Sequence, residues 1–188
     1  ISRGSVGTSH PRTGVCLATS GPGAMNLVTG IADAQMDSVP LLAITGQVPT
    51  GVIASDAFQE SDVVGVMMPL TKQTYMPLYA DQIEETIHEA MYVALTGRGG
   101  PVVIDIPKDI QMQETSGDYR FDPTTYEPAL PGFYYSPAPD RNLVRKAVSL
   151  INKSERPVIL CGHGVVTSNA GPNLKKFAER AHVPVAFT

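Results

Sequence analysis

Apolar and polar positions along the chain follow two alternating rhythms. Three short, nearly continuous apolar runs read as strands buried on both faces: "GVCLAT" (Gly14–Thr19), "PLLAIT" (Pro40–Thr45) and "PVVIDIP" (Pro101–Pro107). Between them lie segments of helical period. "GAMNLVTGIADAQMDS" sets Leu27, Val28, Ile31 and Ala32 on one face and predicts a single helix. "DVVGVMMP" predicts a short helix stopped by Pro69, and "TYMPLY" a weak strand that Pro77 confines to a sheet edge. The clearest helix is "DQIEETIHEAMYVALTG". Asp81 is placed to cap its start, Ile83, Ile87, Ala90, Met91 and Ala94 form its stripe, and Gly97 closes it. The stretch "GQVPTGVIASDAFQES" between the second strand and the short helix reads as a loop.

The rhythm breaks at about Gln111. From there to residue 139 the chain carries Pro123, Pro128, Pro131, Pro137 and Pro139 with little periodicity, the composition of a semi-extended connector. A second α/β alternation follows: helix "RNLVRKAVSLINKS", strand "RPVILCG", loop "HGVVTSNAG", helix "PNLKKFAERAH" and strand "VPVAFT". Buried strands interleaved with helices predict doubly wound parallel sheets with right-handed crossovers. The expected division is an atypical start at 1–13, a first domain at 14–110, a linker at 111–139 and the opening of a second domain at 140–188.

Composition narrows the classes. A formal net charge of −4, with no basic block, gives nucleic-acid binding no electrostatic support. No apolar run reaches the ~20 residues of a membrane span. Cys16 and Cys161 each sit in an apolar run and read as buried thiols rather than a disulfide, which suits a reducing, cytoplasmic setting. The opening "ISRGSVGTSHPRT" is polar and patternless, without the marks of a targeting segment. A start at Ile1 and an end in "VPVAFT" lead to the expectation of a piece of a longer protein.

Several stretches carry candidate chemistry. "TSGPGAMN" turns from strand to helix through Gly21, Pro22 and Gly23, where open parallel sheets bind ligands. The glycines permit positive φ or close approach of backbone, and the helix start offers N–H groups. A tight turn with no ligand explains the same residues. "SDAFQE" sets the aromatic Phe58 beside the neutral amide of Gln59, suited to a small keto acid, or else a plain surface loop. Lys108 in "DIPKD" stands past a strand end where an ammonium meets a carboxylate, or water. Arg98 in "TGRGGP" suits either a phosphate or a helix terminus. His10, His88, His163 and His182 show no metal spacing, so no metal ligand is assigned.

Together the blocks "GVCLATSGPGAMNLVTGIADAQMDSVPLLAITGQVP", "SDAFQE" and "GRGGPVVIDIPKDIQ" resemble the thiamine diphosphate-dependent acetohydroxyacid synthase (acetolactate synthase) large subunit. The resemblance runs from about Gly14 to Thr188. It implies the later part of a pyrimidine-binding domain, then the start of a central, FAD-associated domain. It implies decarboxylation of pyruvate and transfer of the two-carbon unit to a second 2-keto acid, pyruvate or 2-ketobutyrate, in branched-chain amino acid synthesis. Ser20, Gly21, Pro22, Gly23 and Asn26 would face the thiamine pyrimidine, Phe58 and Gln59 the reacting carbon, and Lys108, Pro49 and Ala57 the substrate channel. Arg98, Gly162 and Gly164 would touch FAD, although the family's usual third glycine is His163 here.

The same resemblance implies Mg²⁺ held by residues outside this stretch, a homodimer or tetramer, a small regulatory subunit, and a bacterial-type cytoplasmic location. The family's catalytic glutamate is not found in "ISRGSVGTSHPRT", so the 188-residue chain alone is expected to be inactive. Where plant members carry arginines after "GQVP", this chain has Thr50 and Gly51. Alternative readings are another thiamine enzyme (glyoxylate carboligase, pyruvate oxidase or sulfoacetaldehyde acetyltransferase) or a non-enzymatic nucleotide-binding module.

Overall fold

The structure, a computed structural model, describes residues 13–117, 130 and 139–188. The chain divides into two compact units, Arg12–Tyr135 and a second built on Ser136–Thr188. The atypical start, up to residue 12, and most of the proline-rich connector lie outside the described residues.

The first unit is a four-stranded parallel sheet of β1 (Gly14–Ala18), β2 (Leu41–Gln47), β3 (Gln73–Tyr75) and β4 (Pro101–Pro107) in the order β1-β2-β4-β3. The strand containing Tyr75 is indeed an edge. β4 is buried along its whole length, as its apolar run predicts. Period two sends Val102, Ile104 and Ile106 to one face, against Ala90, Val93 and Ala94 of helix α4 (Ile83–Leu95). Val103 and Ala43 face the other way, packing on Ala24, Ile31, Val63 and Met67 from α1 (Pro22–Met25), α2 (Val28–Asp37) and α3 (Val63–Met67). Helices therefore cover both faces at β2 and β4, the doubly wound arrangement, whereas β1, expected to be buried on both faces, leaves Val15 and Leu17 exposed at the sheet edge.

Local chemistry corrects several sequence expectations. The helix after the Gly-Pro-Gly turn is two helices: Leu27 N–H donates to Ala24 O at 3.0 Å, three residues back, and this tighter step separates α1 from α2. Its buried positions are Ile31 and Ala34, with Ala32 half-buried. Asp81 does not cap α4. Its carboxylate accepts from Ser116 N (2.9 Å) and Ser116 Oγ (2.6 Å), and a 3-10 turn at Ala80–Gln82 leads into the helix. Pro69 does not terminate a helix so much as open a further 3-10 turn, Met68–Leu70. Asp62 does cap α3, accepting from Gly65 N at 2.8 Å.

The second unit holds α6 (Arg141–Lys153), β5 (Ile159–Cys161), α7 (Gly164–Thr167), α8 (Gly171–Ala181) and β6 (Val185–Phe187), with β5 and β6 parallel. The stretch "HGVVTSNAG", expected as a loop, contains the single-turn helix α7. Cys16 is half-buried and Cys161 buried, and both are free thiols. No described helix is long and apolar enough to cross a membrane.

Candidate functional site

The carboxyl end of the first sheet gathers the motifs. From β1 the chain enters the Ser20–Gly23 corner. From β2 it continues into Val48, Pro49 and the 3-10 turn Thr50–Val52, and from β4 into α5 (Lys108–Gln111). Parallel strands put all three exits on one edge.

Gly21 has φ of +57°. A Cβ there would stand 2.9 Å from the carbonyl carbon of Gln59 and 3.0 Å from its Cα. The Gly-Pro-Gly corner is thus seated against the main chain of the "SDAFQE" loop. At Gly23 the corresponding space is taken by Thr19 Cγ2, 2.6 Å away. The room that the sequence reading offered to a ligand is filled by the protein at both glycines, so the turn joins two motifs. Asn26, placed at the C-terminus of α1, donates its N–H to Pro22 O at 3.0 Å and is exposed. Ser20 is half-buried and Pro22 exposed.

The loop itself is built around Glu60. Its carboxylate accepts from Ala54 N and, at 2.9 Å, from Ala57 N. These backbone donors hold the Glu60 carboxyl below the usual carboxylate range. Ala54, Asp56 and Gln59 all have positive φ, at 67°, 56° and 62°. Phe58, at the tip, is 90% exposed, Gln59 is exposed and Ala57 half-buried.

Beneath the loop lies a polar group that sequence reasoning missed. Asp105 is 0% exposed. Its two carboxylate oxygens accept from Thr45 Oγ1 (2.7 Å) and Gln47 Nε2 (2.9 Å). Gln47 Nε2 also donates to Ser61 O at 2.8 Å, and its Oε1 accepts from Val48 N at 2.8 Å. Period two explains the grouping: Thr45 and Gln47 share the face of Ala43, and Thr45 is paired in register with Asp105. Burial pushes the Asp105 carboxyl up to about 6. The bonds from Thr45 and Gln47 oppose the rise, and the charge of Asp62 adds to it. A cleft of about 300 Å³ opens beside it, lined by Gln47, Glu60, Asp62, Met76 and Asp105 among others. The available signal was a carboxylate inside the wholly apolar run "PVVIDIP".

Lys108 and Pro49 are exposed at the same sheet edge. Next to them Thr50 donates to Asp109 through N (3.0 Å) and Oγ1 (2.5 Å), tying the loop after β2 to α5 and holding the Asp109 carboxyl low. Arg98 is occupied at the end of α2: Nε donates to Ser38 Oγ (2.6 Å), and Nη2 to Met36 O (2.8 Å) and Gln35 O (3.3 Å). In the second unit Gly162 and Gly164 are exposed just beyond β5. Gly164 has no atom within 4 Å of a built Cβ, and Gly162 meets only Thr188 Oγ1 at 3.6 Å. Among the described residues no three His, Cys, Asp or Glu side chains group as metal ligands.

Residues 5–66 match the family pattern described as "Thiamine pyrophosphate enzyme, N-terminal TPP binding domain", and residues 144–188 match "Thiamine pyrophosphate enzyme, central domain". The chain is 46% identical over 177 residues to the acetolactate synthase large subunit of Corynebacterium glutamicum, covering 94% of this chain and 28% of that protein. It is 48% identical over 175 residues to the probable acetolactate synthase large subunit of Methanocaldococcus jannaschii (93% and 29%). To the chloroplastic acetolactate synthase 1 of Zea mays it is 44% identical over 183 residues (96% and 27%). The chain thus spans under a third of the length of these relatives.

Proposed function

Because the chain belongs to the thiamine pyrophosphate enzyme family, we propose that it is a portion of an acetolactate synthase catalytic subunit. The reaction is decarboxylation of pyruvate and transfer of the two-carbon unit to a second 2-keto acid, pyruvate or 2-ketobutyrate. The observation that carries this reading is the seating of the Gln59 main chain on Gly21, which brings the two motifs read as the cofactor and substrate sides to one sheet edge. Residues 14–110 form the later part of the pyrimidine-binding domain and 140–188 open the central domain.

Thiamine diphosphate, when bound, supplies the electron sink that lets a 2-keto acid lose CO₂. This chain supplies binding and shape. Around the filled Gly21 seat, Pro22 and Asn26 are exposed and Ser20 and Gly23 half-buried, and these are the residues that would face a flat heteroaromatic ring. Phe58, exposed at the loop tip, offers an aromatic wall to the substrate. Gln59, with donor and acceptor on one neutral amide, orients a keto-acid oxygen without adding charge. Lys108, with Pro49 and Ala57, lines the approach, where its ammonium attracts the substrate carboxylate.

Gly162 and Gly164 leave open space after β5, which fits close approach of FAD. Magnesium has no ligand set among the described residues. The parent works as a homodimer or tetramer, with a small regulatory subunit, in the cytoplasm. The test is product analysis on the purified full-length protein with pyruvate alone and with added 2-ketobutyrate. Formation of 2-acetolactate, and of 2-aceto-2-hydroxybutyrate in the mixture, supports the reading. Consumption of pyruvate to acetyl phosphate or acetate alone would replace it with another thiamine enzyme.

A further inference from the structure

We infer that Glu60 is a positioning residue that acts through Phe58 and Gln59, an inference that rests on the reading of their loop as facing the reacting carbon. Three non-glycine residues with left-handed backbone occur within six positions, Ala54, Asp56 and Gln59. Such conformations persist only where the surroundings over-determine them. The restraint visible here is Glu60. One carboxylate oxygen takes the N–H of Ala54, the other takes that of Ala57 at 2.9 Å, and Glu60 N–H returns to Ala57 O at 2.9 Å. The side chain thereby closes the loop from inside, while Gln47 anchors its far end through Ser61 O at 2.8 Å.

Two acceptors are needed because two main-chain donors point inward. Only a carboxylate offers both in one planar group. Phe58 gains nothing from burial at 90% exposure, so apolar packing does not set its direction. Gln59 rests by its main chain on Gly21, and its φ of 62° is fixed in the same segment. The clasp on Ala54 and Ala57 therefore decides where the aromatic ring and the amide stand.

The experiment uses the full-length protein and its Glu60→Gln variant. Glutamine has the same shape but a single acceptor oxygen, so one of the two N–H groups loses its partner. Deuterium exchange over residues 54–60 is measured beside the thermal midpoint, the affinity for thiamine diphosphate, and kcat and KM for pyruvate. The expected result is exchange faster by about tenfold in that segment and kcat lower by about tenfold. Midpoint and cofactor affinity stay unchanged. A purely structural role would lower the midpoint and leave kcat per folded molecule intact, and that result overturns the inference. So does unchanged exchange. If the wild-type protein makes no acetolactate, the functional reading fails by itself. The clasp is then judged on exchange alone: faster exchange in the variant supports it, and equal exchange refutes it.

Discussion

Gly21 and Gln59 meet main chain to main chain: a side chain at Gly21 would stand 2.9 Å from the Gln59 carbonyl carbon, in a backbone conformation with φ of +57°. Both the collision and the φ exclude alanine. Gly21→Ala is expected to destabilise the protein by about 1–3 kcal/mol and to displace the Phe58 loop, read by denaturant unfolding and by loss of turnover. Gly30, inside α2 with nothing within 4 Å of a built Cβ, is the control. Gly30→Ala is expected to stabilise by about 0.5–1 kcal/mol. Equal effects at the two glycines would remove the special status of the corner.

Phe58 separates function from stability. With 90% of the residue in water, its ring contributes little to folding. Phe58→Ala is expected to shift unfolding free energy by less than about 0.5 kcal/mol while lowering acetolactate formation by about tenfold or more. An intact rate in the alanine variant would take Phe58 out of the substrate site.

Asp105 predicts a pH dependence. Its carboxyl ordinarily titrates at 3.8, but burial raises it to about 6 in the folded protein. The folded state therefore holds a proton that the unfolded chain releases. This contribution to stability is fully present below about pH 4 and is lost as pH rises through about 6. Its full size is on the order of 3 kcal/mol. Asp105→Asn keeps an acceptor for Gln47 and places an NH₂ group toward Thr45, whose hydroxyl accepts as readily as it donates. Wild type is expected to lose stability relative to this variant between pH 4 and pH 7, followed by urea midpoints at matched ionic strength. Parallel curves for the two proteins would contradict the buried-proton account.

Arg98 predicts a loss on conservative exchange. Its fork reaches Ser38 Oγ, Met36 O and Gln35 O together, which a lysine ammonium on a single stem does not reproduce. Arg98→Lys is expected to lower the thermal midpoint by about 2 °C through fraying of the α2 terminus. An unchanged midpoint would show that charge alone suffices there.

Much of this was legible from residue pattern alone. The apolar runs give β1, β2 and β4, and Pro77 rightly consigns Tyr75 to an edge strand. Periodicity finds α4, α6 and α8. What it does not resolve are features decided by one hydrogen bond. The break at Leu27 is a change from four to three residues of reach, invisible in a hydrophobic stripe. Asp81 looks like a cap because it precedes a helix, but Ser116, 35 positions away, takes it instead. The Gly-Pro-Gly corner was legible as a place of close approach, whereas its partner, the main chain of Gln59, is 38 residues distant and carries no periodic signal. Asp105 was hidden by its strand: apolar neighbours declare burial, and only pairing with β2 brings Thr45 and Gln47 to its oxygens.

If these motifs belong to an enzyme that joins two 2-keto acids, that condensation is itself measurable. The most direct measurement is 2-acetolactate formation from pyruvate by the purified full-length protein, with and without thiamine diphosphate in the presence of magnesium. Sustained acetolactate production that depends on the cofactor is the expected result. Tight binding of the cofactor with no acetolactate formed from pyruvate would contradict it.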